Sequence, residues 1–271
     1  MNTQKNHNQS QKEPGRTAPN KNAREEVKYY GIHACIKLWE RRPNDVIRIY
    51  VETSKVKQLS PMLKWCAAQK KAYHVVATEE LNRITDSVHH EGVCLLALAP
   101  LKMHFEDLLA TLSRGNKKMC LLYLDGVQNP HNVGSVLRIC AHFGVPYILG
   151  PSAKLPALSP SALRVAKGGG EVVQMIPLAH PKKAILELKQ KGFVLLASSS
   201  HKGSSVYDYP FPERTILALG GESEGVTAPI LEIAKDTLLI PGTGEVESLN
   251  VAIACGLFVG EYWRQTYTPR S

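Results

Sequence analysis

Arg138 lies outside the apolar stripe of the helix that carries it. Val133, Val136, Leu137, Cys140 and Ala141 recur at i, i+3, i+4, i+7 and i+8, which predicts a helix over 133–143 with one buried face. Arg138 need not be buried and can face a ligand; an ordinary surface arginine is the alternative. The helix follows the loop Leu124-Asp125-Gly126-Val127-Gln128-Asn129-Pro130-His131-Asn132, and Asn132 is placed to cap it. A second loop, Gly220-Gly221-Glu222-Ser223-Glu224-Gly225, directly follows an apolar run. Its glycines permit close backbone approach to a ligand and turns with positive φ. It matches neither the dinucleotide-binding nor the phosphate-loop spacing, and its two acids would repel a phosphate, which disfavours an NAD or ATP site. A third loop, Ile240-Pro241-Gly242-Thr243-Gly244-Glu245-Val246-Glu247-Ser248-Leu249-Asn250, opens a helix that is apolar nearly all round. Such a helix is buried in the core or against another subunit, and Ala252, Ala254, Gly256 and Gly260 permit close packing.

The elements that position these loops alternate between short apolar strands and helices. In the second half, strands are expected over 119–124, 147–149, 193–197, 215–219 and 237–240. Helices are expected over 133–143, 182–191, 228–234 and 249–263. That pattern points to a mostly parallel sheet covered on both faces, with ligands outside the strand ends. In the first half, a helix over 33–40 must stop before Pro43. Strands over 47–51, 73–77 and 93–98 and a helix over 61–71 imply a small α/β unit. The stretch 99–116, with a helix over 105–112, reads as the connection. Residues 1–26 are polar and lack apolar periodicity, so a disordered, mildly basic tail is expected.

Bulk properties bound the function class. Lys and Arg outnumber Asp and Glu by 33 to 24, a net charge of +9. That excess favours a polyanionic partner as much as it fits a generic basic surface. No run approaches the roughly 20 apolar residues of a membrane span, and no secretory leader is evident. The six cysteines occur singly, mostly among apolar neighbours, and read as buried reduced thiols of a cytoplasmic protein. The ten histidines show no metal-ligand spacing, so no metal is expected.

Taken in register, Asn132 to Arg138, Gly220 to Gly225 and Ile240 to Asn250 resemble the three signature motifs of the SpoU (TrmH) RNA ribose 2′-O-methyltransferases of the SPOUT superfamily. The resemblance covers 117–271 strongly. It extends more weakly to 27–99 through Tyr30-Gly31-Ile32-His33-Ala34 and His90-Glu91-Gly92-Val93. It implies a C-terminal α/β trefoil-knot domain over 117–271, a smaller N-terminal L30e-like RNA-binding α/β domain over 27–99, and a linker over 100–116. It further implies S-adenosyl-L-methionine held around Leu219, Gly220, Gly221, Ile240 and Leu249, and a homodimer that acts on transfer or ribosomal RNA. Arg138 matches the family's catalytic arginine, with Asn132, Glu222, Ser248 and Asn250 at the polar positions that orient arginine, hydroxyl and donor. Arginine is a poor base, because its pKa exceeds ~12. The role it suits is gripping the neighbouring phosphate and stabilising developing alkoxide charge. Two departures stand out: Ala252 where the family usually has a serine, and Lys167 with extra glycine in Val165-Ala166-Lys167-Gly168-Gly169-Gly170-Glu171. They motivate the alternative of a non-catalytic RNA-binding protein retaining the fold. A nucleotide-cofactor oxidoreductase ranks below both, for want of its glycine fingerprint.

Overall fold

The computed structural model describes residues 24–112, 118–221 and 224–267. Residues 1–23 of the tail expected over 1–26, and Glu222, lie outside the described residues. Two sheets organise the chain. The first takes β1 (Glu26–Tyr30), β2 (Val46–Glu52), β3 (Ala72–Val76) and β4 (Val93–Leu98) in the order β1-β4-β2-β3, antiparallel except for the β2–β3 pair. The central β4 is an unbroken apolar run because both its faces are buried, Val93, Leu95 and Ala97 in one core and Cys94 in another. Helices α1 (Ile32–Arg41), α2 (Ser60–Ala68) and α3 (Thr78–Thr85) complete this unit. Gly31, with φ of 89°, makes the sharp turn from β1 into α1, where only glycine is unstrained. At the next residue the Ile32 amide donates to Glu91 Oε2 at 2.9 Å, which satisfies an otherwise orphaned helix-start group.

Helix α4 (Phe105–Leu112) leads to the second sheet. Its strands are β5 (Met119–Asp125), β6 (Tyr147–Pro151), β7 (Gln174–Leu178), β8 (Val194–Ser198), β9 (Ser204–Ser205), β10 (Arg214–Gly220) and β11 (Asp236–Leu239). They lie in the order β7-β6-β5-β10-β8-β11-β9, and every pairing is parallel. Alternation along β5 sends Leu122 and Leu124 to one core and Leu121 and Tyr123 to the other. The first core is closed by α5 (Pro130–Phe143) and α9 (Val251–Thr266), with α6 (Pro160–Val165) packed on α5. The second is closed by α4, α7 (Pro181–Gln190) and α8 (Ala228–Leu231). This is the two-faced, mostly parallel sheet that the alternating pattern implies.

Some local expectations are corrected. Asn129, not Asn132, caps α5: its Oδ1 accepts from the amides of His131 and Asn132, with Pro130 at the first helical position. Asn250 caps α9, so that helix starts at Val251 rather than Leu249. Helix α8 ends at Leu231, short of Ala234. Arg24 and Glu25, placed in the tail from composition, are tied to the first sheet. Arg24 bonds both oxygens of Asp45, and the Glu25 carbonyl accepts from Ala99. Glu26 begins β1. Helix α3, α6 and strands β1, β7 and β9 had no counterpart in the sequence pattern.

The two units are clamped together. Arg42, just after α1, donates Nε and Nη2 to the two oxygens of Glu171 at 2.7 and 3.0 Å. Its remaining donors reach Asp45, the Leu98 carbonyl and the Tyr29 hydroxyl. Leu163 of α6 is counted in the core of the first sheet. Lys167 pairs with Glu91 at 3.0 Å. All six cysteines are buried and free: Cys35, Cys66 and Cys94 about the first sheet, Cys120, Cys140 and Cys255 under α5 and α9.

Candidate active site

Because the second sheet is parallel, β5, β10 and β11 deliver their following loops to one edge, which is where α/β sheets bind ligands. Register places Gly220 beside Asp125 at the ends of neighbouring strands. The Gly221 amide donates to the Asp125 carbonyl at 2.9 Å, and Gly221 forms an antiparallel bridge with Gly225. A Cβ on Gly220 would lie 1.9 Å from the Gly225 carbonyl carbon, and one on Gly221 would lie 2.9 Å from the Gly126 carbonyl oxygen. Glycine is therefore required at both positions by backbone crossing backbone. The Asp125 carboxylate, buried at the strand end, accepts from the Thr227 amide at 2.8 Å and its hydroxyl at 2.7 Å. It pins the far end of the 220–227 turn. Glu224 pairs with Lys154 at 3.1 Å.

The third loop joins the first through one contact. Asn250 Nδ2 donates to Asn132 Oδ1 at 3.0 Å, while Asn250 Oδ1 accepts from the Ala252 amide at 2.9 Å. Two of the predicted polar residues are thus bonded across 118 positions of sequence. Ala252 itself is buried in the first turn of α9, so a serine there would sit among core side chains. Residues 241–250 are exposed throughout, including Ser248, and Leu249 keeps 43% of its surface.

Arg138 is exposed on α5, two turns beyond Asn132, and makes no hydrogen bond or ion pair among the described residues. It opens onto a cleft of about 540 Å³ between α1, α5 and the turn after α6. The structure therefore brings together Asn132 with Asn250, and Leu219, Gly220 and Gly221 with the start of the first loop. It shows no direct bond from Arg138 or Ser248 to either group. Glu222, set by the resemblance among the polar positions that orient arginine, hydroxyl and donor, lies outside the described residues. Sequence reading passed over Asp125 and Thr227. The available signal was an acid at the end of an otherwise apolar strand, followed by Gly126 at φ of 85°. Among the described residues no group of histidines, cysteines and acids could hold a metal ion.

Comparison with known proteins gives this geometry a context. The model of the SpoU rRNA methylase family matches residues 119–260, and that of RNA 2′-O ribose methyltransferase substrate binding matches residues 29–100. An uncharacterized tRNA/rRNA methyltransferase of Escherichia coli O157:H7 is 35% identical over 241 residues, 89% of this chain and 69% of its own length. The 23S rRNA (guanosine-2′-O-)-methyltransferase RlmB of Neisseria meningitidis serogroup B is 28% identical over 239 residues, covering 87% and 94%. The SpoU methyltransferase AviRb from Streptomyces viridochromogenes, solved with AdoMet, superposes with a TM-score of 0.72 at 19% identity over 89% of this chain and 90% of that one. The last likeness concerns the fold.

Proposed function

The chain belongs to the SpoU rRNA methylase family, and from that premise we propose that it transfers a methyl group from S-adenosylmethionine to a ribose 2′-hydroxyl of transfer or ribosomal RNA. The observation that carries this reading is the meeting of three loops at one sheet edge, fastened by Gly221–Asp125 and Asn132–Asn250, with Arg138 exposed beside them. The residues assigned to the donor fit it. The 220–221 backbone is held rigid by its own crossing, and Leu249 offers uncommitted apolar surface suited to a neutral heteroaromatic ring. When bound, the donor supplies an electrophilic methyl group on a sulfonium. Arg138 grips the phosphate next to the target ribose and stabilises negative charge as it develops on the 2′-oxygen. Asn132 and Asn250, already bonded to each other, orient the entering nucleotide together with Ser248, and Glu222 is assigned to the same task on the motif alone.

Residues 27–99 are assigned as the L30e-like RNA-binding domain, 100–116 as the linker and 117–271 as the knotted methyltransferase domain. A homodimer built through α9 is supported by its solvent-facing apolar residues: Ile253 is 56% exposed and Trp263 is 37% exposed. Free buried thiols support a reducing cytoplasm, and no helix among the described residues is long and apolar enough to cross a membrane.

Incubation with methyl-labelled donor and total RNA, followed by nucleoside analysis, tests the reading. Label is expected on 2′-O-methylated nucleosides. The Arg138→Ala variant should lose transfer while calorimetry shows unchanged donor affinity. Label on a base with unmodified ribose refutes ribose methylation, and absence of donor binding refutes catalysis in favour of RNA binding alone.

A further inference from the structure

We propose that the cleft between α1 and α5 is a track for the RNA phosphodiester backbone, assembled from both units of the chain, that leads the strand to Arg138. The proposal rests on the methyltransferase reading for its substrate. Apart from Arg138, which the two share, its residues are a different set from those of the proposed active site.

Three basic side chains, His33, Lys37 and Arg41, line one wall of the cleft. Their i, i+4, i+8 spacing puts them on one stripe of α1, about 6 Å apart along the axis at 1.5 Å per residue. Arg138 lines the opposite wall, and Lys167 the turn between them. Among the described residues no carboxylate lines the cleft. Lys37 has an outer partner in Glu40 at 3.2 Å, and Lys167 has one in Glu91 at 3.0 Å. The Lys37–Glu40 pair is solvent-exposed, so it is worth little. Arg41, Arg138 and His33 make no ion pair among the described residues.

The fold goes out of its way to bring these groups together. Lys167 adopts a φ of 50° and Gly168 one of 93°, two left-handed residues in succession. A Cβ on Gly168 would stand 2.6 Å from Lys37 Cβ, so α1 approaches the turn this closely only because that position is glycine. A Cβ on Gly169 would stand 2.7 Å from the Leu137 carbonyl oxygen, so the same turn also lies against α5 at Arg138. Lys37 and Lys167 each have one acid, set outside the cleft lining, while Arg41 and Arg138 have none among the described residues, so the cleft keeps an excess of positive charge. A polyanion would offset it, because each neutralised phosphate releases condensed counterions. Lys37 and Arg41, one turn apart with the His33 donor a turn before them, match a strand of successive phosphates better than one compact anion. The departure at Lys167, which the family motif leaves unused, finds a role here.

The full-length Lys37→Gln/Arg41→Gln variant tests this, with a labelled mixed-sequence single-stranded RNA titrated by fluorescence anisotropy across a salt series. Loss of two phosphate contacts should lower the slope of log K against log salt by about 1.4, at about 0.7 per contact on a single strand. Affinity at low salt should fall tenfold or more, with donor affinity unchanged. Glu40→Gln frees Lys37 and should move binding the other way, towards tighter RNA affinity, which a folding defect would not do. An unaltered slope and affinity in the double variant overturn the track while leaving the enzyme reading intact. Failure of the parent protein to methylate any RNA overturns the enzyme reading, and the binding measurement still decides the track.

Discussion

The Arg42–Glu171 clamp holds α1 against the α6 turn, and its two sides are unequal in a way that can be measured. Arg42 places all five guanidinium donors: two on Glu171, and one each on Asp45, the Leu98 carbonyl and the Tyr29 hydroxyl. Glu171 has a side chain only 3% exposed and no partner but Arg42 among the described residues. Removing the arginine therefore strands a buried carboxylate, the circumstance in which breaking a pair costs about 3–5 kcal/mol. The loss of three further bonds puts Arg42→Ala at the upper end, about 4–5 kcal/mol. Removing the glutamate instead leaves Arg42, 18% exposed, with Asp45, Leu98 and Tyr29 still in place. Two charge-assisted bonds are lost, and water reaches the freed donors. Glu171→Ala should then cost about 2–3 kcal/mol, below the about 3–6 kcal/mol that two such bonds at about 1.5–3 each would give, because water replaces part of what is lost. Urea unfolding followed by circular dichroism reads both, as a midpoint shift at constant slope. The expected order is Arg42→Ala below Glu171→Ala below the parent. Equal losses, or a larger loss from the glutamate, would refute the reasoning that burial of Glu171 sets the asymmetry.

Asp125→Ala removes the carboxylate that holds Thr227, two bonds that each contribute about 1.5–3 kcal/mol; donor affinity by calorimetry should fall at least tenfold, and unchanged affinity would detach the 220–227 turn from donor binding. Acid should loosen the contact between the Arg24 segment and the first sheet. Hydrogen bonding from Arg24 holds the Asp45 carboxyl below its ordinary value of 3.8. Its contribution to stability is present above that value and is lost as pH falls below it towards the depressed one. Asp45→Asn should flatten the stability profile in that acidic range, and an identical acid limb would show that other carboxylates govern it.

What was legible in the sequence follows the range over which each feature is decided. The α5 stripe and its outlying Arg138 could be read because a helix fixes faces within a few residues. The parallel sheet could be read because its strands are short and apolar throughout. β1 and β7 could not, since both are edge strands with mixed burial, and β7 carries Pro177, which an edge tolerates. The cap of α5 was misplaced by three residues because asparagines stand at both 129 and 132. At the site, the glycines announced themselves, but the reason for them is a backbone crossing between residues five apart that only the folded turn shows. Asp125 finds Thr227 across 102 residues, a distance at which spacing carries no signal. The His33–Lys37–Arg41 row was not read, because the helix expected over 33–40 stops short of Arg41 and what the row faces is settled by Gly168 on the other unit.

The six buried cysteines give the protein an internal clock. Burial pushes the Cys94 thiol up to about 12 and the Cys35 thiol well above its ordinary range, so neither presents reactive thiolate while its core is closed. Labelling by a soluble thiol reagent must wait for a local opening, and its rate reports the free energy of that opening. With three cysteines in each half of the molecule, peptide mapping after timed exposure would read which half breathes first. No probe need be added, and RNA or donor binding would register as a slowing confined to the half it touches.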